Sequence, residues 1–283
     1  MAIDPKDIYS ARLSNDEFNK LSEFIYKGYG IKMPPVKKVM LQSRLQKRLR
    51  ALSMVSFSEY CNYVFSKEGE DEIIHMIDVV STNKTDFFRE PIHFEFLSNT
   101  VIPEICNSKN QRIHIKIWSA GCSSGEEPYT IAICLSELQQ TYTNFDFSIL
   151  ATDISTDMLQ RGANGIYRED RIEGIPLSFK KQYFLKSRDR TKQLVRLIPE
   201  IRQKVVFKRL NFMDAHYPIQ DSFDIVFCRN ALIYFERETQ EKVINKLCVH
   251  LKSDGYFFLG HSESITNMDV PLKHIKPTIF RKT

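Results

Sequence analysis

The chain has 283 residues, 42% hydrophobic and 27% charged, a balance that suits two ordinary globular domains and excludes a disordered or fibrous chain. Its formal charge of +5 is mildly basic, which is compatible with acidic partners of several classes and selects none of them. No apolar run approaches the roughly 20 residues of a membrane span, and the opening MAIDPKDIYSARLSNDEF has no apolar leader core, so the sequence implies a cytoplasmic protein.

The first hundred residues read as helices. Ser14-Asn15-Asp16-Glu17 fits a capping box, and Phe18, Leu21 and Ile25 follow at helical spacing until Gly28 and Gly30 end the run. Leu41, Leu45, Leu49 and Leu52 mark a second helix. Two more are predicted over residues 58–65 and 71–80. On the second helix Lys37, Arg44 and Arg48 share a face, with Lys47 alongside. Such a face is either simply solvated or meets an acidic partner. The six cysteines show no C-x-x-C pair and no zinc-like spacing to histidine, so reduced core thiols and no metal are expected.

After the polar stretch Asn107–Arg112, strands and helices alternate. Strands are predicted over 113–118, 145–151, 204–210, 223–228 and 256–260, with helices over 128–140, 156–163 and 237–251. This alternation implies an α/β domain over residues 99–283, built on a parallel sheet, behind an all-helical domain over residues 1–98. Lys180–Lys204, rich in Lys and Arg, is inserted between sheet elements as a small appendage. Ligands of such sheets bind at the carboxyl ends of the strands.

The loop after the first strand, in IWSAGCSSGEEPYTIAI, resembles a phosphate cradle, yet it lacks G-x-x-x-x-G-K-[ST] and G-x-G-x-x-G. Glu126 and Glu127 repel phosphate. They either complement the helix dipole or face a cationic ligand. Asp153, ending the second strand, is either a helix cap or a carboxylate for ribose hydroxyls. Leu210-Asn211-Phe212 can offer an amide and a ring to a base, or be a turn; Cys228-Arg229-Asn230 opens the loop after the fourth strand. Together the four strand ends suit a nucleoside without phosphate and with positive charge, which describes S-adenosylmethionine.

The stretches TNKTDFFRE (residues 82–90), WSAGCSSGEEPYTIA, ATDIS, LNFMD, FCRNALIYF and LGHSES resemble the CheR family of chemotaxis-receptor protein-glutamate O-methyltransferases. The likeness spans residues 82–264, and the helical region fits it too. It implies a Rossmann-like S-adenosylmethionine-dependent methyltransferase domain with a small inserted β-subdomain. By position it implies a cofactor site of Asn83, Thr85, Arg89, Glu127, Asp153, Asn211, Phe212, Arg229 and Asn230. Arg89 and Tyr234 are expected to shape its reacting end, and Lys37, Arg44, Lys47 and Arg48 to meet acidic chemoreceptor helices. Some family members dock a receptor C-terminal peptide on the subdomain, for which residues 194–198 can supply an edge strand.

Three rival functions are weaker. An RNA methyltransferase would be expected to interleave basic residues with exposed stacking aromatics, and no RNP-like motif is present, so no nucleic-acid partner is expected. A cofactor sensor without activity would be favoured by a missing family position, and none is missing. A thiol enzyme using Cys122 or Cys228 with His261 has no nucleophile motif.

Overall fold

Residues 11–107 and 111–283 are described by a computed structural model. The first ten residues, where no leader was expected, and residues 108–110 within the Asn107–Arg112 link lie outside the described residues. Helix α1 (Asn15–Tyr29) starts at the expected capping box, where the Glu17 amide donates to Ser14 Oγ and the Ser14 amide donates to Glu17 Oε2. It stops at Gly30, whose φ of 71° belongs to the left-handed region. Helices α2 (Lys38–Leu52), α3 (Phe57–Val64) and α4 (Glu70–Val80) follow. Leu41, Leu45 and Leu49 of α2 are fully buried in a cluster with Leu21, Ile25 and Tyr60, each leucine contributing roughly 1.5–3 kcal/mol of burial.

The basic face of α2 is divided. Arg48 forms a two-pronged ion pair with Glu72 of α4, at 2.8 and 2.7 Å, and the Tyr60 hydroxyl donates to the same carboxylate at 3.0 Å. Arg44 donates to the carbonyls of Val80 and Ser81, closing the end of α4. Lys47 is exposed and Lys37 half-buried. Of the four cations that spacing put on one solvated or partner-facing face, Arg44 and Arg48 are thus engaged inside the helical layer.

The helical cluster ends at Val80. Helices α5 (Ile92–Phe96) and α6 (Ile102–Asn107), joined by a π turn over Leu97–Val101, pack on the sheet through Phe94, Leu97, Val101 and Ile102. The change of core thus falls near Ser81, ahead of the boundary expected at residue 98, because helical periodicity does not say which core a helix faces.

Beyond residue 111 the elements run β1 (Ile113–Ala120), α7 (Glu126–Leu138), β2 (Phe145–Asp153), α8 (Thr156–Asn164), β3 (Ile166–Arg168), α9 (Leu177–Tyr183), β4 (Phe184–Lys186), β5 (Leu194–Leu197), α10 (Pro199–Arg202), β6 (Val205–Arg209), β7 (Phe223–Cys228), α11 (Arg237–Val249), β8 (Leu251–Leu259), β9 (Leu272–Lys276) and β10 (Ile279–Lys282). Seven strands form one sheet in the order β6-β2-β1-β7-β8-β10-β9. The first five are parallel, and the β9–β10 hairpin joins antiparallel. Strand order reverses between β1 and β7, so a crevice opens where their following loops diverge. The interior of the sheet is continuous: Ile115, Ile117, Trp118, Ile225, Val226 and Phe227 are fully buried.

The appendage is a three-stranded sheet in the order β3-β5-β4. It starts at Ile166, earlier than the expected Lys180. Residues 194–197 form its central strand, so the expectation of an edge strand there is corrected: the edges are β3 and β4. Among the described residues no helix is long and apolar enough to cross a membrane.

Candidate functional site

A cleft of about 1110 Å³, its open mouth included, lies at the carboxyl ends of the parallel strands, where sheets of this topology bind their ligands. It is lined by the loops after β1, β2, β6 and β7, by residues 80–89, and by Tyr29, Ile31, Met33 and Met40 of the helical part. Asn83, Thr85, Arg89, Glu127, Asp153, Asn211, Phe212, Arg229 and Asn230 all line it, as do Tyr234 and Lys37. Arg44, Lys47 and Arg48 do not.

The loop after β1 approaches its neighbours closely. Gly121 sits at φ 82°, and a Cβ there would lie 2.8 Å from that of Ala231. Its amide and that of Cys122 donate to the Thr152 carbonyl, tying this loop to the end of β2. Asp153 is held from both sides, Oδ2 accepting the Ser123 amide at 2.7 Å and Oδ1 the Ser155 amide at 3.0 Å. The cap of α8 is Ser155, which takes the Met158 amide, so capping does not account for Asp153. Burial pushes the Asp153 carboxyl up from the usual range, against those amides.

Glu127 belongs to a buried chain of charges. Ser119 Oγ donates to Glu127 Oε1 at 2.7 Å, and Arg229 Nη1 reaches Oε2 at 3.1 Å. Arg229 Nη2 spans to Glu90 Oε2 at 2.9 Å, while Asn230 Nδ2 donates to Glu90 Oε1 at 3.1 Å. The arginine side chain is only 3% exposed. Burial raises the Glu127 carboxyl although Arg229 opposes it. Burial acts the same way on Glu90 but is outweighed by Arg229 and the His261 amide, leaving Glu90 lowered. Arg229 is thus a strut between two carboxylates. Its Nε and Asn230 Oδ1 are buried atoms without a protein partner, which suits a site whose remaining hydrogen bonds are completed by a ligand.

Asn211 also proves to be a strut. Its Oδ1 accepts the Met213 amide, the turn-forming contact that the sequence left open, and its Nδ2 donates to the Gly28 carbonyl, tying the β6 loop to α1. Phe212 lines the cleft, its ring packed beside those of Tyr217 and Phe235. Asn83 donates to Ser81 Oγ, and its carbonyl accepts Ser123 Oγ. Arg89 donates to the Lys84 carbonyl at 3.0 Å.

Residues outside the predicted set hold these in place. Glu263, in LGHSES, accepts the amides of Asn230, Leu232 and Gly260 at 2.9, 2.7 and 2.7 Å. Arg171 reaches from the appendage to Glu126, Asp86 and the Thr85 carbonyl. Phe88, Glu90, Ser123 and Asn230 all have φ between 48° and 58°, a strained choice for residues with a Cβ that concentrates at ligand sites. Burial pushes the thiols of Cys122 and Cys228 far up, which removes the thiolate a cysteine enzyme would need.

The fold and cleft define a nucleoside-binding α/β enzyme of the S-adenosylmethionine-dependent methyltransferase class: strand-end carboxylates, an aromatic face, and no phosphate loop. Residues 83–280 match the family model described as CheR methyltransferase, SAM binding domain, and residues 16–81 match CheR methyltransferase, all-alpha domain. A chemotaxis protein methyltransferase of Borreliella burgdorferi is 42% identical over 276 residues, covering 95% of each chain. Chemotaxis protein methyltransferase 2 of Pseudomonas aeruginosa is 33% identical over 94% of this chain and 93% of its own. The Escherichia coli chemotaxis protein methyltransferase is 33% identical over 91% and 87%. The chain belongs to the CheR methyltransferase family.

Proposed function

We propose that this methyltransferase converts glutamate side chains on cytoplasmic chemoreceptor helices to methyl esters, serving adaptation in chemotactic signal transduction. The observation that carries this reading is the strand-end cleft, with Glu127 and Asp153 in its wall, in a chain whose relatives bear the name chemotaxis protein methyltransferase. S-adenosylmethionine supplies an electrophilic methyl on a sulfonium. Glutamate, with a reference pKa of about 4.3, arrives already ionised and needs no base. In keeping with that, no histidine among the described residues lines the cleft, and Glu127 and Asp153 are held by hydrogen bonds. What remains for the protein is orientation and exclusion of water.

In this reading Asp153 and Glu127 hold polar groups of the cofactor, Phe212 packs its base, and Arg89 and Tyr234 steer the incoming carboxylate. Lys37, 5.9 Å from the Tyr234 ring centroid, attracts the acidic receptor helix at the mouth, with Lys47 more remote and Arg44 and Arg48 acting mainly through the helical layer. The division into a helical and a methyltransferase domain falls at residues 81–83. The enzyme works as a monomer in the cytoplasm. Any receptor peptide adds to the free edge of β4, beside a groove containing Ile172, Leu177 and Phe184.

The test is transfer of labelled methyl from S-adenosylmethionine to chemoreceptor membranes. Base-labile label on the receptor is expected, with none for Asp153→Ala. Arg89→Ala and Tyr234→Phe should each lower turnover at saturating cofactor; unchanged turnover in both would remove their assigned role. Cofactor binding without transfer to any receptor would instead favour a sensing scaffold.

A further inference from the structure

Behind Arg229, on the side away from Glu127, Glu90 meets two histidines from distant parts of the chain. His93 stands at the start of α5 and His261 follows β8. One ligand atom from each of Glu90, His93 and His261 lies within 4.8 Å of the others. His93 is fully buried, and its Nδ1 has no hydrogen-bond partner.

The proton on the His93 ring is fixed by its neighbour. Thr278 Oγ1 donates its one hydrogen to the Pro277 carbonyl at 2.6 Å, so in the 2.7 Å contact with His93 Nε2 it must accept. The ring hydrogen is therefore on Nε2 and a lone pair is on Nδ1. That lone pair faces Glu90 Oε2 at 3.6 Å. Two electron-rich atoms thus face each other across that distance.

We propose that Glu90 Oε2, His93 Nδ1 and His261 Nε2 form a binding site for a divalent transition-metal ion of the zinc type, distinct from the methyl-transfer cleft. Zinc bonds to nitrogen and oxygen of about 2.0–2.1 Å place tetrahedral ligand atoms roughly 3.4 Å apart. The 3.6 Å between His93 and Glu90 matches that spacing, and the 4.0 Å from His261 Nε2 to Glu90 Oε2 is close to it. His261 is 56% exposed, so its ring can swing the remaining distance, and a fourth position opens to solvent. The His93–Thr278 bond is the outer-sphere contact that orients metal-binding imidazoles. Charge also fits: Glu90 and Glu127, counted as ionised, outnumber Arg229 by one, which a cation redresses. Glu90 Oε2 keeps a second lone pair beside the one given to Arg229. The inference does not depend on the receptor reading, and its test needs no methyl transfer.

Chelator-stripped full-length protein would be titrated with zinc against a chromophoric competitor, and with cobalt for its visible spectrum. One ion per chain is expected, with the intense bands of tetrahedral cobalt. His261→Ala, at an exposed side chain, should weaken binding at least about tenfold, as loss of a ligand exceeds loss of an outer-sphere partner. His216→Ala, exposed and outside the cluster, should leave it unchanged. Absence of saturable binding at micromolar zinc, or equal affinity in wild type and His261→Ala, would overturn the proposal.

Discussion

Glu127 and Asp153 share a cleft but differ in how much their charge is needed locally. Glu127 contacts a hydroxyl and a guanidinium, both of which a glutamine can satisfy, so Glu127→Gln should fold normally by thermal melting. It should bind S-adenosylmethionine about 10- to 100-fold more weakly, the worth of one hydrogen bond to a charged group, as read by calorimetry. Asp153 accepts a backbone amide on each oxygen, so Asp153→Asn turns an N–H donor against another donor. A loss of about 1–3 kcal/mol in chemical denaturation should accompany its weaker binding. Both carboxylates were legible in the sequence because the ends of strands can be located from apolar runs. Glu90 was not. It lies in a left-handed turn and pairs with an arginine 139 positions away, and no local spacing encodes either fact. Glu263 stood in a quoted motif, but its role as a three-amide anchor exists only once β7 and β8 are side by side.

At the level of elements, the parallel strands are the part that the sequence pattern reads best. A strand covered on both faces is a continuous apolar run, as in β7, and the predicted limits of β1, β2, β7 and the edge strand β6 fall within two residues of the observed ones. The start of β8 was placed late because Lys252, Ser253 and Asp254, which follow its buried first residue, are exposed. Strand β3 has three residues with only Tyr167 buried, and β9 carries exposed Lys273, His274 and Lys276, so neither gives a hydrophobic signal. The same partial view hid Arg171, which follows β3 and clamps the 84–90 segment to α7. Arg171→Ala should release Asp86 and Glu126 together and weaken cofactor binding several-fold, with Arg171→Lys recovering part of the loss. If affinity in Arg171→Ala equals wild type, the clamp has no part in forming the cleft.

On the scale of the molecule, two cores meet at one ligand site. The helical core rests partly on an ion pair: Glu72 is almost fully buried, and Arg48→Ala would leave its charge uncompensated. A loss of about 3–5 kcal/mol is expected for such a break, seen as a lowered unfolding midpoint. Contacts that cross between the cores collect at the rim of the cleft, where Asn211 reaches the Gly28 carbonyl, Tyr26 donates to Glu236, and the Lys32 amide donates to the Tyr234 carbonyl. Lining residues run from Tyr29 to Phe235, and Glu263 must arrive before Asn230 is fixed. On the ribosome this ordering has a cost. The helical layer, made of near-neighbour contacts, can fold while most of the chain is still unmade, yet Ile31, Met33 and Met40 then stand as half of a binding site with no opposite wall. Their cover is translated some 170 residues later, and throughout that interval the nascent protein presents an apolar face suited to chaperone capture.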